Sequence, residues 1–107
     1  MEHALKESMH GTTLTLGGEL TLIHANELKA TLTASLQSGG NVAVRLEGIT
    51  DMDLSCLQLL CSAHRTAARS GQHFTLDAEN SELFRKAAVE AGFFGEDHPQ
   101  AIKKSER

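Results

Sequence analysis

The sequence offers a thiol and an imidazole at helical spacing, two carboxylates two residues apart, and a serine just beyond the second carboxylate. Cys61 and His64 are three apart, so a helix would turn them toward one side, and a thiol beside an imidazole can serve a nucleophile or a metal. No third ligand or orienting group stands at a matching spacing, and a half-buried helix face explains the pair better. Asp51 and Asp53 would suit acid–base chemistry, but a turn followed by a helix cap explains them as well. The six histidines, His3, His10, His24, His64, His73 and His98, are scattered. Gly17-Gly18 and Gly39-Gly40 lack the Gly-Lys-Ser/Thr that completes a phosphate loop, and no Rossmann glycine fingerprint is present. These residues point away from an enzyme, a metal site or a bound cofactor.

Ser55 is different because of its position. Glu47 to Asp53 reads as a short acidic connection into the most strongly helical segment, Leu54 to Ser70. Asp53 is a good N-cap, which puts Leu54, Ser55 and Cys56 in the first turn. Ser55, Gln58, Ser62, Arg65 and Arg69 then form a polar stripe. Leu54, Leu57, Cys61, His64 and Ala68 form a neighbouring stripe, widened by Leu60, Ala63 and Ala67, and this is the expected core side. Ser55 is thus expected at the solvent end of the polar stripe, beside unpaired backbone N–H groups. A phosphate fits there, because the helix dipole and free amides favour negative charge. An ordinary helix-start serine fits the same spacing.

The elements around it follow from periodicity. Residues 2–8 are weakly patterned, either a first edge strand or a frayed arm. Thr12 to Leu16 alternates as a strand, Gly17-Gly18 marks a turn or bulge, and Glu19 to Ile23 continues as a second strand with Leu20 and Leu22 on one face. Those two strands could form a hairpin. Leu28, Leu32 and Leu36 define a helix over Ala25 to Ser38, ended by Gly39-Gly40. Val42 to Leu46 and Phe74 to Asp77 read as strands. Asn80 or Ser81 caps a third helix that runs to about Ala91, with Gly92 beyond it. The order β-β-α-β-α-β-α gives an α/β domain. Its expected form is a mixed four- to five-stranded sheet with helices packed mainly on one face.

Composition narrows the partners. The chain has 107 residues, enough for one domain with a real hydrophobic core. Residues 1–95 form the expected domain and 96–107 a polar, flexible tail. The formal net charge of −4 and the lack of Tyr and Trp disfavour nucleic acid, which needs clustered cations or stacking platforms. Two cysteines five apart on a helix point in different directions, so Cys56 and Cys61 are expected reduced and half-buried. No stretch is apolar enough to span a membrane, and residues 1–15 lack a signal-peptide core. A cytoplasmic location is the expectation.

Four pieces in order resemble one family. Leu16-Gly17-Gly18-Glu19-Leu20 resembles the Leu-x-Gly-Glu-Leu-Asp strand of STAS domains, the anti-sigma factor antagonists and their relatives, with Thr21 where Asp is usual. Met52-Asp53-Leu54-Ser55-Cys56-Leu57 resembles their Met/Ile-Asp-Ser-Ser-Gly-Leu helix start. Gly71-Gln72-His73-Phe74-Thr75-Leu76 and Ala91-Gly92-Phe93 resemble the pieces downstream. The resemblance covers roughly residues 10–95 and implies a STAS-like fold.

It also implies a partner switch. The phosphorylated serine of the family carries over to Ser55. Leu54 replaces the first serine and Cys56 the glycine, which narrows the space through which a kinase approaches. The unphosphorylated form would bind an anti-sigma factor or serine kinase; phosphorylation would end the complex and a phosphatase restore it. The expected contact surface is His24, Asn26, Asp51, Met52, Asp53, Leu54, Cys56, Gln58 and Ser62 around Ser55. Docking on an ABC-transporter ATPase, in lipid transport, and a chemosensory or two-component accessory role are alternatives within the same resemblance.

Overall fold

The computed structural model describes residues 1–78 and 81–90. Strands β1 (Glu2–Ser8), β2 (Gly11–Leu20), β3 (Val42–Met52) and β4 (Phe74–Asp77) form one sheet in the order β1-β2-β3-β4. β1 runs antiparallel to β2, while β2–β3 and β3–β4 are parallel. Helices α1 (Ala25–Gln37), α2 (Leu54–Arg69) and α3 (Glu82–Glu90) connect and follow the strands, and a short 3-10 turn spans Leu22–His24.

Alternation builds the core. Leu14, Leu16 and Leu20 of β2, Val42, Val44 and Leu46 of β3, and Phe74 and Leu76 of β4 are buried on one face. They meet Leu28 and Leu32 of α1, Leu57 and Leu60 of α2, and Phe84 of α3 in a single cluster. Arg45, Thr75 and Asp77, the alternate positions, are exposed on the other face, as period-two geometry requires of a sheet covered on one side. Ser81 closes the start of α3, its Oγ accepting from the Phe84 N–H at 3.1 Å. Of the two expected caps Ser81 fits; Asn80, the Ala91-Gly92-Phe93 ending and the tail 96–107 lie outside the described residues.

The hairpin differs from expectation. Its strands are β1 and β2, joined at Met9-His10, with Ser8 opposite Gly11. Gly17-Gly18 is not a turn but lies inside the continuous β2. A Cβ on Gly17 would sit 2.6 Å from the Glu47 carbonyl oxygen, and Gly18 has φ +78, so both glycines serve a close strand approach with irregular register. Between Leu16 and Leu20 the pairing jumps twice, and β3 supplies an extra residue each time. These are bulges, and they bend the end of β3.

Two further boundaries move as well. Glu47 to Met52 is strand rather than connection, because it pairs with Gly18, Glu19 and Leu20 across the bulges. Leu22 leaves the sheet for the 3-10 turn, where Leu22 and Ile23 stand exposed. Leu54 and Ala68, expected on the core stripe of α2, are exposed as well. Leu54 is six residues before Leu60, about 120° around the helix from the buried centre.

Candidate functional site

The bent end of β3 delivers the chain to α2 through Asp53. The Asp53 N–H still donates to the Leu20 carbonyl at 3.1 Å, so the residue belongs to the sheet on its backbone side. Its φ of −127 and ψ of 175 are extended, as an N-cap requires. Its carboxylate then serves several donors at once. Oδ1 accepts from the Cys56 N–H at 3.3 Å and from the Ser55 hydroxyl at 3.0 Å. Oδ2 accepts from the Leu22 N–H at 2.8 Å. Desolvation acts to raise this carboxyl, but the Leu22 N–H, the Ser55 hydroxyl and the Cys56 and Ser55 N–H groups together hold it below its ordinary 3.8.

Ser55 is half-buried in the first turn of α2, with its Oγ fixed by Asp53. Cys56 points the other way. It is 0% exposed, and its Sγ lies 3.5 Å from the Thr21 carbonyl oxygen. Its place in the contact surface is therefore corrected: the residue that stands where the family has glycine packs inward and offers a partner no surface. Burial, helped by the charge of Asp53, pushes its thiol up to about 11.

Most of the remaining expected residues are at the surface. Asp51, Leu54, Gln58, Ser62 and Asn26 are exposed, and Met52 and His24 are half-buried. Asp51 is turned back on its own chain, with Oδ1 accepting from the Met52 N–H at 2.9 Å. His24 lies 3.6 Å from a Glu19 carboxylate oxygen and 3.8 Å from one of Glu27. The bond from Leu22 to Asp53 joins the Leu22–His24 turn, which leads into Asn26 at the start of α1, to the start of α2. Ser62 sits two turns further along α2, on a groove lined by Leu32, Leu36 and Leu59 between the two helices.

Leu22 and Ile23 escaped the sequence reading. They are 69% and 83% exposed at this end of the fold, and Leu54 beside Asp53 is 50% exposed. Alternation placed Leu22 on a strand, and nothing in the sequence marks the strand's early end at Leu20.

The thiol–imidazole pair gains no support as a reactive centre. Burial pushes the Cys61 thiol up, with Arg65 opposing it only in part, whereas an activated thiol needs the opposite shift. His64 meets the Phe74 ring edge-on at 6.0 Å between centroids, and its Nδ1 is buried without a hydrogen-bond partner. Both cysteines are fully buried rather than half-buried, and neither is in a disulfide. Among the described residues no three His, Cys, Asp or Glu side chains gather to hold a metal, and no helix is long and apolar enough to cross a membrane.

A mixed sheet covered on one face, with a capped helix start at one end, is the frame that carries these residues. The family model "Mlab, STAS domain" matches residues 3–93, and the chain belongs to the STAS domain family, a family of non-enzymatic binding domains. The fold resembles that of the anti-sigma factor antagonist SpoIIAA in its unphosphorylated form. That likeness has a TM-score of 0.68 and 18% identity, covering 85% of this chain and 81% of the other. It also resembles the Bacillus cell fate determinant SpoIIAA in the phosphorylated form, with a TM-score of 0.64, 19% identity, and 85% and 84% covered. Comparison with curated protein sequences gives no match.

Proposed function

We propose that this STAS domain is a partner switch of the anti-sigma factor antagonist kind, with Ser55 as its phosphoacceptor. The observation that carries the reading is the Ser55 hydroxyl itself. It stands half-buried in the first turn of α2, oriented by a 3.0 Å bond to the cap carboxylate. The domain supplies this hydroxyl, the positive end of a helix and a surface. An anti-sigma factor that is also a serine kinase supplies the ATP, and a phosphatase reverses the change. The contact surface consists of His24, Asn26, Asp51, Met52, Asp53, Leu54, Gln58 and Ser62, with Cys56 acting from inside by fixing the first turn against Thr21. No metal or cofactor enters this scheme, and its setting is the cytoplasm.

The mechanism is electrostatic. A phosphate on Ser55 brings about −2 charge at neutral pH. Asp51 and Asp53 already make this end acidic, so the added charge and bulk oppose a partner at a surface from which water has been removed. The helix start itself tolerates the charge, because its N–H groups favour an anion.

A second reading has two observations of its own. The matching family model is the Mlab type, and Leu54 and Cys56 replace the small residues beside the phosphoacceptor. In that reading the same surface docks permanently on an ABC-transporter ATPase in lipid transport, and Ser55 is only a helix-start serine. Purified partner titrated with wild type, Ser55→Ala and Ser55→Asp separates the two. The switch requires the Asp variant alone to lose binding; equal affinities favour permanent docking.

A further inference from the structure

The 3-10 turn Leu22–His24 presents two large aliphatic side chains and buries none of its residues. A flexible turn could fold such side chains down, but this one is held at several points. The Leu22 N–H is bonded to Asp53 at 2.8 Å, the His24 N–H to the Thr21 carbonyl at 2.8 Å, and the Ala25 N–H to the Leu22 carbonyl. The anchoring carboxylate belongs to the residue just before Leu54, which is itself half exposed. Three aliphatic side chains thus project from one rigid junction without contributing to the core. The Leu22–Asp53 bond brings together the two segments that carry them, and exposed aliphatic side chains gathered in this way suit a contact with another molecule.

The surroundings say which kind. Along the sequence Glu19 and Glu27 flank Leu22 and Ile23, Asp51 and Asp53 precede Leu54, and neither segment 19–28 nor segment 48–64 contains a Lys or Arg. His24 lies between Glu19 and Glu27, His3 lies 3.3 Å from Glu27, and the Met1 ammonium lies 3.4 Å from His24, so the basic groups that meet this end are two imidazoles and the chain's amino group, with no Lys or Arg side chain among these contacts. A second copy would bring the same carboxylates face to face, and an anionic lipid surface would be repelled. We infer that Leu22, Ile23 and Leu54 form an apolar knob that inserts into a pocket on another protein, and that Lys or Arg residues frame this pocket. This deepens the partner-binding reading and rests on it: the knob supplies affinity and the acidic frame supplies orientation, while Ser55 beside them would supply control.

The test is a photo-crosslinking phenylalanine analogue placed at Ile23 in the full chain, expressed in its native host, with the same analogue at Arg69 as the control. Crosslinked peptides are sequenced by mass spectrometry. The expected result is one protein, crosslinked from position 23 only, through an apolar segment flanked by Lys or Arg. With that protein purified, its association rate should fall at least tenfold between 50 and 500 mM salt, as basic–acidic steering predicts. Leu22→Asp and Leu54→Asp should each lower the crosslink yield at least tenfold. Both replace exposed side chains, so unchanged thermal midpoints confirm that they fold. Crosslinking to a second copy, to lipid, to an acidic or wholly polar segment, or to nothing overturns the inference, and so does a salt-insensitive association. If Leu22→Asp abolishes the crosslink while Ser55→Asp leaves it unchanged, the knob stands and control through Ser55 fails. If Ser55→Asp abolishes it and Leu22→Asp does not, the knob fails and the switch stands.

Discussion

The Asp53 carboxylate accepts the Leu22 N–H at 2.8 Å, across 31 positions of sequence. One side chain therefore caps α2, orients the Ser55 hydroxyl and holds the turn that follows β2. Asp53→Ala should cost about 1–2 kcal/mol, the usual loss of a cap plus a bond that water replaces in part. Urea unfolding measures it. Because the folded carboxyl is held below its ordinary 3.8, its contribution is full above that value and is lost as pH falls through the lowered one. The stability gap between wild type and Asp53→Asn should accordingly narrow only in strong acid. A gap that closes near neutral pH would show that this carboxylate is not the titrating group.

Leu57 and Leu60 are 2% and 1% exposed and belong to the one core cluster. Truncating either to Ala should cost roughly 2–5 kcal/mol, the range for removing a buried leucine from a packed interior. Leu54→Ala, on the exposed side of the same helix, should change stability by less than about 0.5 kcal/mol. Chemical denaturation of the three variants checks the register of α2. Similar losses at Leu54 and Leu57 would rotate the helix and move Ser55 with it.

The cysteines give an independent check on the same register. Both are buried, and burial pushes the Cys56 thiol up to about 11. Neither should react with an aromatic disulfide reagent in the native state at pH 8, and both should react once urea unfolds the chain. Cys56→Gly places the family's usual residue in this chain. It should nevertheless destabilise, by about a few tenths of a kcal/mol from helix propensity and more from the emptied volume. Fast native labelling of Cys56 would mean that its side chain reaches the surface after all.

Regular periodicity made most of this legible. The leucines of α1, the alternation in β2, β3 and β4, and Asp53 as a cap all follow from side-chain spacing that has one physical solution. The readings failed where backbone irregularity breaks that spacing. Gly17-Gly18 spells a turn in composition, yet here it lets two strands approach and bulge. The acidic run after Leu46 looks like a loop because its side chains face water, although its backbone is paired with β2. Leu22 and Ile23 look like strand because alternation cannot register a 3-10 turn fixed by a carboxylate far along the chain. For Cys56, the family pattern suggested a surface position next to the phosphoacceptor, but one step along a helix is 100° of rotation, and here it crosses from surface to core.

Ser55 allows the sharpest test of function. Its Oγ lies 3.0 Å from Asp53 Oδ1, so a new negative charge there meets one carboxylate and a set of helix-start N–H groups. These act in opposite directions on the fold, each by roughly 0.5–2 kcal/mol. Ser55→Asp should therefore shift the thermal midpoint by no more than a few degrees. Ser55→Ala loses a single hydrogen bond and should shift it no further. A bound partner feels something else, because there the charge adds to Asp51 and Asp53 in a desolvated contact. A cost of about 3 kcal/mol would weaken the complex on the order of a hundredfold, enough to release a micromolar or submicromolar partner. Calorimetric titration of the purified partner should show Ser55→Ala binding like wild type and Ser55→Asp losing about two orders of magnitude. Equal affinity among all three would leave Ser55 as a plain helix-start residue and move the function to permanent docking.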